Sequence, residues 1–215
     1  MKISPNAVMQ SRATPMRGLD FFPTPPWATR AFLHDVLQPE FPARLSSAWE
    51  PAAGEGHMAH VLGEVFEHVR ASDVADYGSG FEVGSFVGQG LDVAPARPVD
   101  WIITNPPFNL AVDFAERALT EAGAGAALLL RTSWMEGAER YNRLFRDRPP
   151  RVIAQYCERV PMIAGRWDPA AASATSYAWF VWHLSSLLPE TKLVWIPPGA
   201  KARHWRDDDL KRWAQ

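Results

Sequence analysis

The chain has 215 residues, 47% apolar and 21% charged, which suits one soluble α/β domain with a full core, and no internal repeat is visible. A formal net charge of −2 argues against a general polyanion binder, although it says nothing about local patches. The only cysteine, Cys157, excludes an intrachain disulfide and points to a reducing compartment; no apolar run is long enough for a signal peptide or a membrane span, so a cytoplasmic protein is expected.

Residues 1–20 mix polar residues, Gly and Pro without period, as a mobile arm or a surface wrap would. Residues 21–198 read as a single domain and 199–215 as a charged tail. The domain opens on Phe21-Phe22-Pro23-Thr24-Pro25-Pro26-Trp27, followed by helical spacing through Ala28, Phe32, Leu33, Val36 and Leu37. Thr24 fits an N-cap and Pro25 a first helical residue, and such a helix start attracts an anionic group such as a carboxylate.

Ser46 to Trp49 reads as a short strand leading into Glu50-Pro51-Ala52-Ala53-Gly54-Glu55-Gly56, and helical spacing resumes at Met58, Val61, Leu62 and Val65. Small residues in the loop let the backbone approach a ligand, and Glu50 can accept hydrogen bonds from an ammonium group; a plain tight turn explains the same spacing. The next strand, Val69 to Ser72, ends at Asp73, about twenty residues beyond the glycine loop, where an acid in a doubly wound fold commonly holds ribose hydroxyls. Val74 would then pack on a purine. Phe86 to Val93 reads as a third strand carrying Asp92 and Val93 at its end, with Asp92 either accepting from an adenine amino group or lying in a solvated turn.

Asp100-Trp101-Ile102-Ile103-Thr104-Asn105-Pro106-Pro107-Phe108 is the stretch that carries the chemistry. An apolar, β-branched run fits a buried strand, and two prolines that cannot donate to a ladder end it at Asn105. The strand thus presents a carboxamide, a carbonyl and an aromatic ring. The exocyclic amine of a nucleobase is a poor nucleophile because its lone pair is delocalised, and two acceptors on its hydrogens favour the reactive, tetrahedral form. The Asn105 amide oxygen and the Pro106 carbonyl fit as acceptors, Pro106 and Pro107 stiffen the turn, and Phe108 offers a face for a flipped-out base; a core Phe after a diproline turn is the plainer alternative.

A helix through Ala111, Phe114, Ala115, Ala118 and Leu119 and a strand from Ala126 to Leu130 continue the alternation. It predicts a mostly parallel sheet with ligands at the carboxyl ends of its strands, where Glu50, Asp73, Asp92 and Asn105 would share one rim. Residues 137–148 form a helix with Tyr141, Leu144 and Phe145 on one face. From Arg140 to Arg166 seven arginines face two acids, so Arg143, Arg146, Arg148 and Arg166, with Trp167, are candidate DNA contacts. Val152 to Tyr156 and Ser176 to Leu184 read as strands paired across a long 161–175 loop, and Lys192 to Ile196 as an edge strand. The tail carries Trp205 and Trp213 and either docks on the body or touches a polyanion. His57 and His60 lie a helical turn apart without a third ligand, so no metal is expected.

Taken together, these motifs resemble the S-adenosylmethionine-dependent amino-methyltransferases, and within them the small phage and prophage-type DNA N6-adenine methyltransferases, over most of residues 18–184. Asn105-Pro106-Pro107-Phe108 matches the catalytic tetrapeptide Asn/Asp-Pro-Pro-Tyr/Phe. Glu50 to Gly56 matches the cofactor loop, and Phe22-Pro23-Thr24-Pro25 is similar to the additional N-terminal cofactor motif. Arg159-Val160-Pro161 and Ser176 to Trp182 also look like this group. The resemblance implies a Rossmann-like α/β fold, mostly a parallel seven-stranded sheet with helices on both faces and an antiparallel last strand. It implies S-adenosyl-L-methionine held by Phe22, Thr24, Pro25, Glu50, Pro51, Ala52, Gly54, Gly56, Asp73, Val74, Asp92, Val93 and Asn105, and methyl transfer to adenine N6 in double-stranded DNA beside Asn105, Pro106, Pro107 and Phe108. The same tetrapeptide serves methyltransferases for ribosomal RNA bases and for a release-factor glutamine, and an inactive binding protein of this fold is a further alternative. Nothing resembles a separate target-recognition domain, so specificity would come from the 161–175 loop, the arginine helix or the tail, and a homodimer would be one way to compensate.

Overall fold

The computed structural model describes residues 20–43, 45–88, 90–94, 98–184 and 190–213. The arm expected over residues 1–20 lies, except for Asp20, outside them. Helix α1 starts at Pro26, whose fixed φ suits the first turn and whose missing N–H is no loss there. Thr24 is not its cap. Pro25 precedes a proline and is therefore kept extended, at φ −54° and ψ 129°, so the cap falls on Pro25 and its carbonyl accepts from Ala28 N at 2.9 Å. The helix runs through a π-helical turn at Leu33–Leu37 and ends at Gln38–Glu40.

The strands are β1 Ser47–Glu50, β2 His68–Asp73, β3 Glu82–Val83, β4 Val99–Thr104, β5 Ala122–Arg131, β6 Val152–Tyr156, β7 Tyr177–His183 and β8 Lys192–Ile196. They form one sheet in the order β3-β2-β1-β4-β5-β7-β6-β8, parallel except for β7, which runs against both β5 and β6. The expectation of seven strands with the last one antiparallel is thus corrected. β8 uses the free edge of β6, pairing in parallel from Val152↔Lys192 to Tyr156↔Ile196, which makes eight strands and leaves β7 interior. That interior place explains why Tyr177 to Trp182 is an unbroken buried run.

The third strand is the other correction. Only Glu82–Val83 pairs with β2, and Ser85 and Asp92 meet in an isolated bridge instead of a Phe86 to Val93 strand. Gly88 and Gly90, at φ 93° and 132°, turn the chain between them.

Alternation along β4 sends Trp101 and Ile103 into one core layer and Ile102 into the other, and a register shift between Val99 and Trp101 turns Val99 to the side of Ile102. Helices α1 and α2 (His57–Leu62) cover the first layer, and α3 (Ala111–Glu121) covers the second. The arginine segment is a short helix α4 (Ala138–Arg140) continued by a π-helical turn at Tyr141–Phe145; Leu144 is buried but Tyr141 is exposed, contrary to the shared face expected for them.

The tail docks on the body through α5 (Ala200–His204) and α6 (Asp207–Trp213). Asp209 takes both terminal nitrogens of the buried Arg30 at 2.6 and 2.8 Å, and Glu64 binds the same guanidinium at 2.7 Å. No described helix is long and apolar enough to cross a membrane.

Candidate active site

The carboxyl ends of β1, β2 and β4 open onto a cavity of about 680 Å³. Its wall includes Phe22, Thr24, Glu50, Pro51, Ala52, Asp73, Val74, Asn105, Pro107 and Phe108 from the residues singled out in the sequence. Strand topology does this: β1, β2 and β4 are adjacent and parallel, so their ends share one edge.

The glycine loop shapes the floor. Gly54 has φ +54°, and a Cβ there would meet the Phe21 ring at 2.4 Å, so any other residue would be strained and would have to displace that ring. Its N–H donates to Asp73 Oδ2 at 2.8 Å, while Asp73 Oδ1 accepts from Ala75 N at 3.1 Å. Each oxygen keeps a lone pair, so the carboxylate can still receive neighbouring hydroxyls. Glu50 is only 2% exposed, and its Oε2 has no hydrogen-bond partner among the described residues. Burial, helped by the Asp73 charge, pushes its carboxyl well above the usual range.

Asn105 is oriented by the N-terminal motif. Its Nδ2 donates to Phe22 O at 2.9 Å and lies 3.7 Å from Met162 Sδ, which leaves Oδ1 as a buried acceptor without a hydrogen-bond partner among the described residues. Phe108 sits among three neighbours: Phe22 at 5.6 Å, Tyr177 at 6.4 Å and the Arg131 guanidinium 4.3 Å above its ring centre.

Several cavity residues had no strong sequence signal. His57 is buried with both ring nitrogens unpartnered, and burial lowers its pKa to about 4, so it is neutral. Burial likewise pushes the Tyr77 hydroxyl, another wall residue, to about 12. Arg131, Ser85 and Phe86 also line the cavity; of these only Arg131, as the last residue of a strand, carried a hint of its place.

Other expected residues lie elsewhere. Asp92 is not on the cavity wall; Arg117 takes its exposed carboxylate at 2.6 Å, and Val93 is in the core. Pro25 and Pro106 are not on the cavity wall, and Gly56 lines a neighbouring cavity with Glu55, Tyr77 and Trp213. Arg143 is bound by Asp113, Glu116 and Glu139 at 2.6 to 2.9 Å, and Arg146 by Asp147 at 3.1 Å. Trp167 is buried, 5.9 Å from Trp205, whereas Arg166 is exposed beside Asp168. Among the described residues no group of three His, Cys, Asp or Glu side chains is placed to hold a metal.

No family model matches this chain, and no curated protein matches its sequence. Solved structures match its fold. A protein of Listeria monocytogenes, provisionally described as a class I S-adenosylmethionine-dependent methyltransferase, aligns over 98% of this chain and 78% of its own, with 11% identity and a TM-score of 0.57. The methyltransferase subunit of a type I restriction-modification system from Streptococcus thermophilus aligns over 80% of this chain at 6% identity and a TM-score of 0.60. A modification subunit provisionally assigned to a type I restriction enzyme of Vibrio vulnificus aligns over 96% at 14% identity and 0.51. This chain spans only 46% and 55% of those two subunits. What these likenesses share is architecture: the chain has the Rossmann-like fold of the class I S-adenosylmethionine-dependent methyltransferases.

Proposed function

We propose that this chain transfers the methyl group of S-adenosylmethionine to the exocyclic amine of adenine in DNA. The observation that carries the reading is Asn105: its amide nitrogen is tied to the Phe22 carbonyl, and its oxygen is left as a buried acceptor without a partner on the wall that also holds Glu50 and Asp73. A buried acceptor without a donor costs about 1–3 kcal/mol, so its retention fits a ligand that brings the hydrogen.

The residues present fit the cofactor. Glu50 offers a buried oxygen that an ammonium group would satisfy, and a positive charge beside it would restore its ionisation. Asp73, already oriented by two backbone N–H groups, suits a pair of ribose hydroxyls, and Val74 a purine face. Thr24 and the neutral His57 line the same space. When bound, the cofactor supplies an electrophilic methyl group on a sulfonium.

The chain's own work is orientation. Asn105 Oδ1 takes a hydrogen of the amine and directs its lone pair, while Pro106, off the cavity wall, stiffens the turn that holds it. A neutral amide is a weak base, so the proton leaves after transfer, and the rate comes from fixed geometry and from the exclusion of water around the buried Asn105 oxygen. Phe108 stacks the extruded base, which offsets part of the few kcal/mol that extrusion costs.

The test offers labelled methyl donor with unmethylated DNA, RNA and protein in parallel. Label in DNA supports the reading. Label confined to RNA bases or to a protein glutamine keeps the chemistry and replaces the substrate; no label, with cofactor bound, makes the chain a binding protein of this fold.

A further inference from the structure

We infer that Arg131 and Arg159, and not the arginines of the 137–148 segment, hold the phosphodiester backbone beside the target base. The inference rests on the nucleic-acid substrate proposed above and concerns where its backbone lies.

The 137–148 segment is a poor polyanion site. Arg143 faces three carboxylates and Arg146 one, so their charge is already compensated. Arg148 is not so paired, but its backbone is at the wrong end of the sheet. Its carbonyl accepts from Trp182 Nε1, which lies opposite Ala126 midway along β5, and Arg148 precedes the amino end of β6, whose first residue, Val152, pairs with Val181. The Asn105 rim is at the other end, where Arg131 lies opposite Tyr177. From Ala126 to Arg131 is five residues of extended chain, roughly 16 Å.

Arg131 and Arg159 are at that rim. Arg131 is the last residue of β5, is exposed, lines the cavity, covers the Phe108 ring and hydrogen-bonds the Tyr177 hydroxyl. Arg159, three residues beyond β6 and also exposed, hydrogen-bonds the Ser176 hydroxyl. Ser176 joins the two, since its carbonyl accepts from Thr132 N, next to Arg131, at 2.9 Å.

The acids nearby are otherwise engaged. Asp20 accepts from Phe108 N at 3.0 Å, and Glu158 from the backbone of Gly199 and Lys201. Both guanidiniums are therefore positioned by neutral groups, with no paired carboxylate among the described residues, and each keeps further N–H donors in the fork that suits a phosphate. A guanidinium on the ring that stacks the base is next to that base's own phosphates.

The test measures methyl transfer to an adenine-containing duplex against salt concentration for Arg131→Gln, Arg159→Gln and the pair Arg146→Ala with Arg148→Ala, with cofactor affinity by calorimetry as the control. The expected result is a several-fold higher KM for DNA and a salt slope lower by about one for each rim variant, with unchanged cofactor affinity. Arg131→Lys keeps the slope, and the Arg146, Arg148 pair leaves both readouts unchanged. Rim variants with wild-type KM and slope, in an enzyme that does methylate nucleic acid, overturn this inference alone. If the wild-type protein transfers no label to DNA or RNA, the inference falls together with the substrate reading.

Discussion

Among the described residues, two places bury charged side chains, and they treat them in opposite ways. Under the tail, Arg30 is 2% exposed yet fully partnered: two nitrogens to Asp209, a bidentate contact with Glu64, and the His204 carbonyl at 3.3 Å. Burial alone would lower its pKa, but the bonds to both carboxylates outweigh that and hold it more firmly protonated than usual. At the cavity, Glu50 is equally buried, and its Oε2, Asn105 Oδ1 and both nitrogens of His57 have no hydrogen-bond partner among the described residues. The same low dielectric that strengthens the first cluster penalises the second. One group is finished by the fold; the other is left for a ligand.

The contrast can be broken from either side. Asp209→Ala should have the largest effect, because it leaves the Arg30 charge buried with half its partners: a loss of about 3–5 kcal/mol in denaturant unfolding, with cofactor affinity per folded molecule preserved. A variant as stable as wild type would make the tail contact incidental. Asn105→Ala should reduce methyl transfer roughly a hundredfold to a thousandfold in single-turnover kinetics, with little change in stability or cofactor binding. Normal turnover would remove Asn105 from the mechanism.

Glu50→Gln sharpens the contrast, since it should help the unliganded fold and harm binding. Relieving the penalty of a buried carboxyl is worth about 1 kcal/mol, or some 2–4 °C in melting temperature for a chain of this size, while calorimetry should show weaker cofactor binding. Unchanged affinity would sink the role given to Glu50. The pH dependence follows with signs fixed by direction. Glu50, raised in the fold, contributes stability that is present below the ordinary carboxylate range and lost as pH rises through its raised value. His57, lowered from 6.5 to about 4, contributes stability that is present above 6.5 and lost as pH falls toward 4. Melting temperatures of the unliganded protein should therefore fall on both sides, and Glu50→Gln should flatten the alkaline side only. The smallest effect is expected at the surface, where Arg146→Ala should change unfolding free energy by less than about 0.5 kcal/mol.

Much of the frame was legible in the sequence because it depends on local signals. Alternating strands and helices imply a parallel sheet, and diproline after Asn105 ends a strand where it must. Those signals put Glu50, Asp73 and Asn105 at strand ends, and the fold lines one cavity with all three. Long-range pairing was not legible. Nothing local says that Phe22 O, 83 residues away, orients Asn105, or that Arg143 meets Asp113 and Glu116 on another helix. Nor does local charge reveal compensation: the basic run from Arg140 to Arg166 looked like one surface, and the structure distributes it between both ends of the sheet. Asp92 shows the same limit, because its partner Arg117 lies 25 residues on.

The central claim is amine methylation at Asn105, and its most direct test is nucleoside mass spectrometry of unmethylated DNA incubated with S-adenosylmethionine and either the wild-type protein or Asn105→Ala. N6-methyladenine is expected with the wild type and none above background with the variant. A methylated product at another position, or equal product from both proteins, would contradict it.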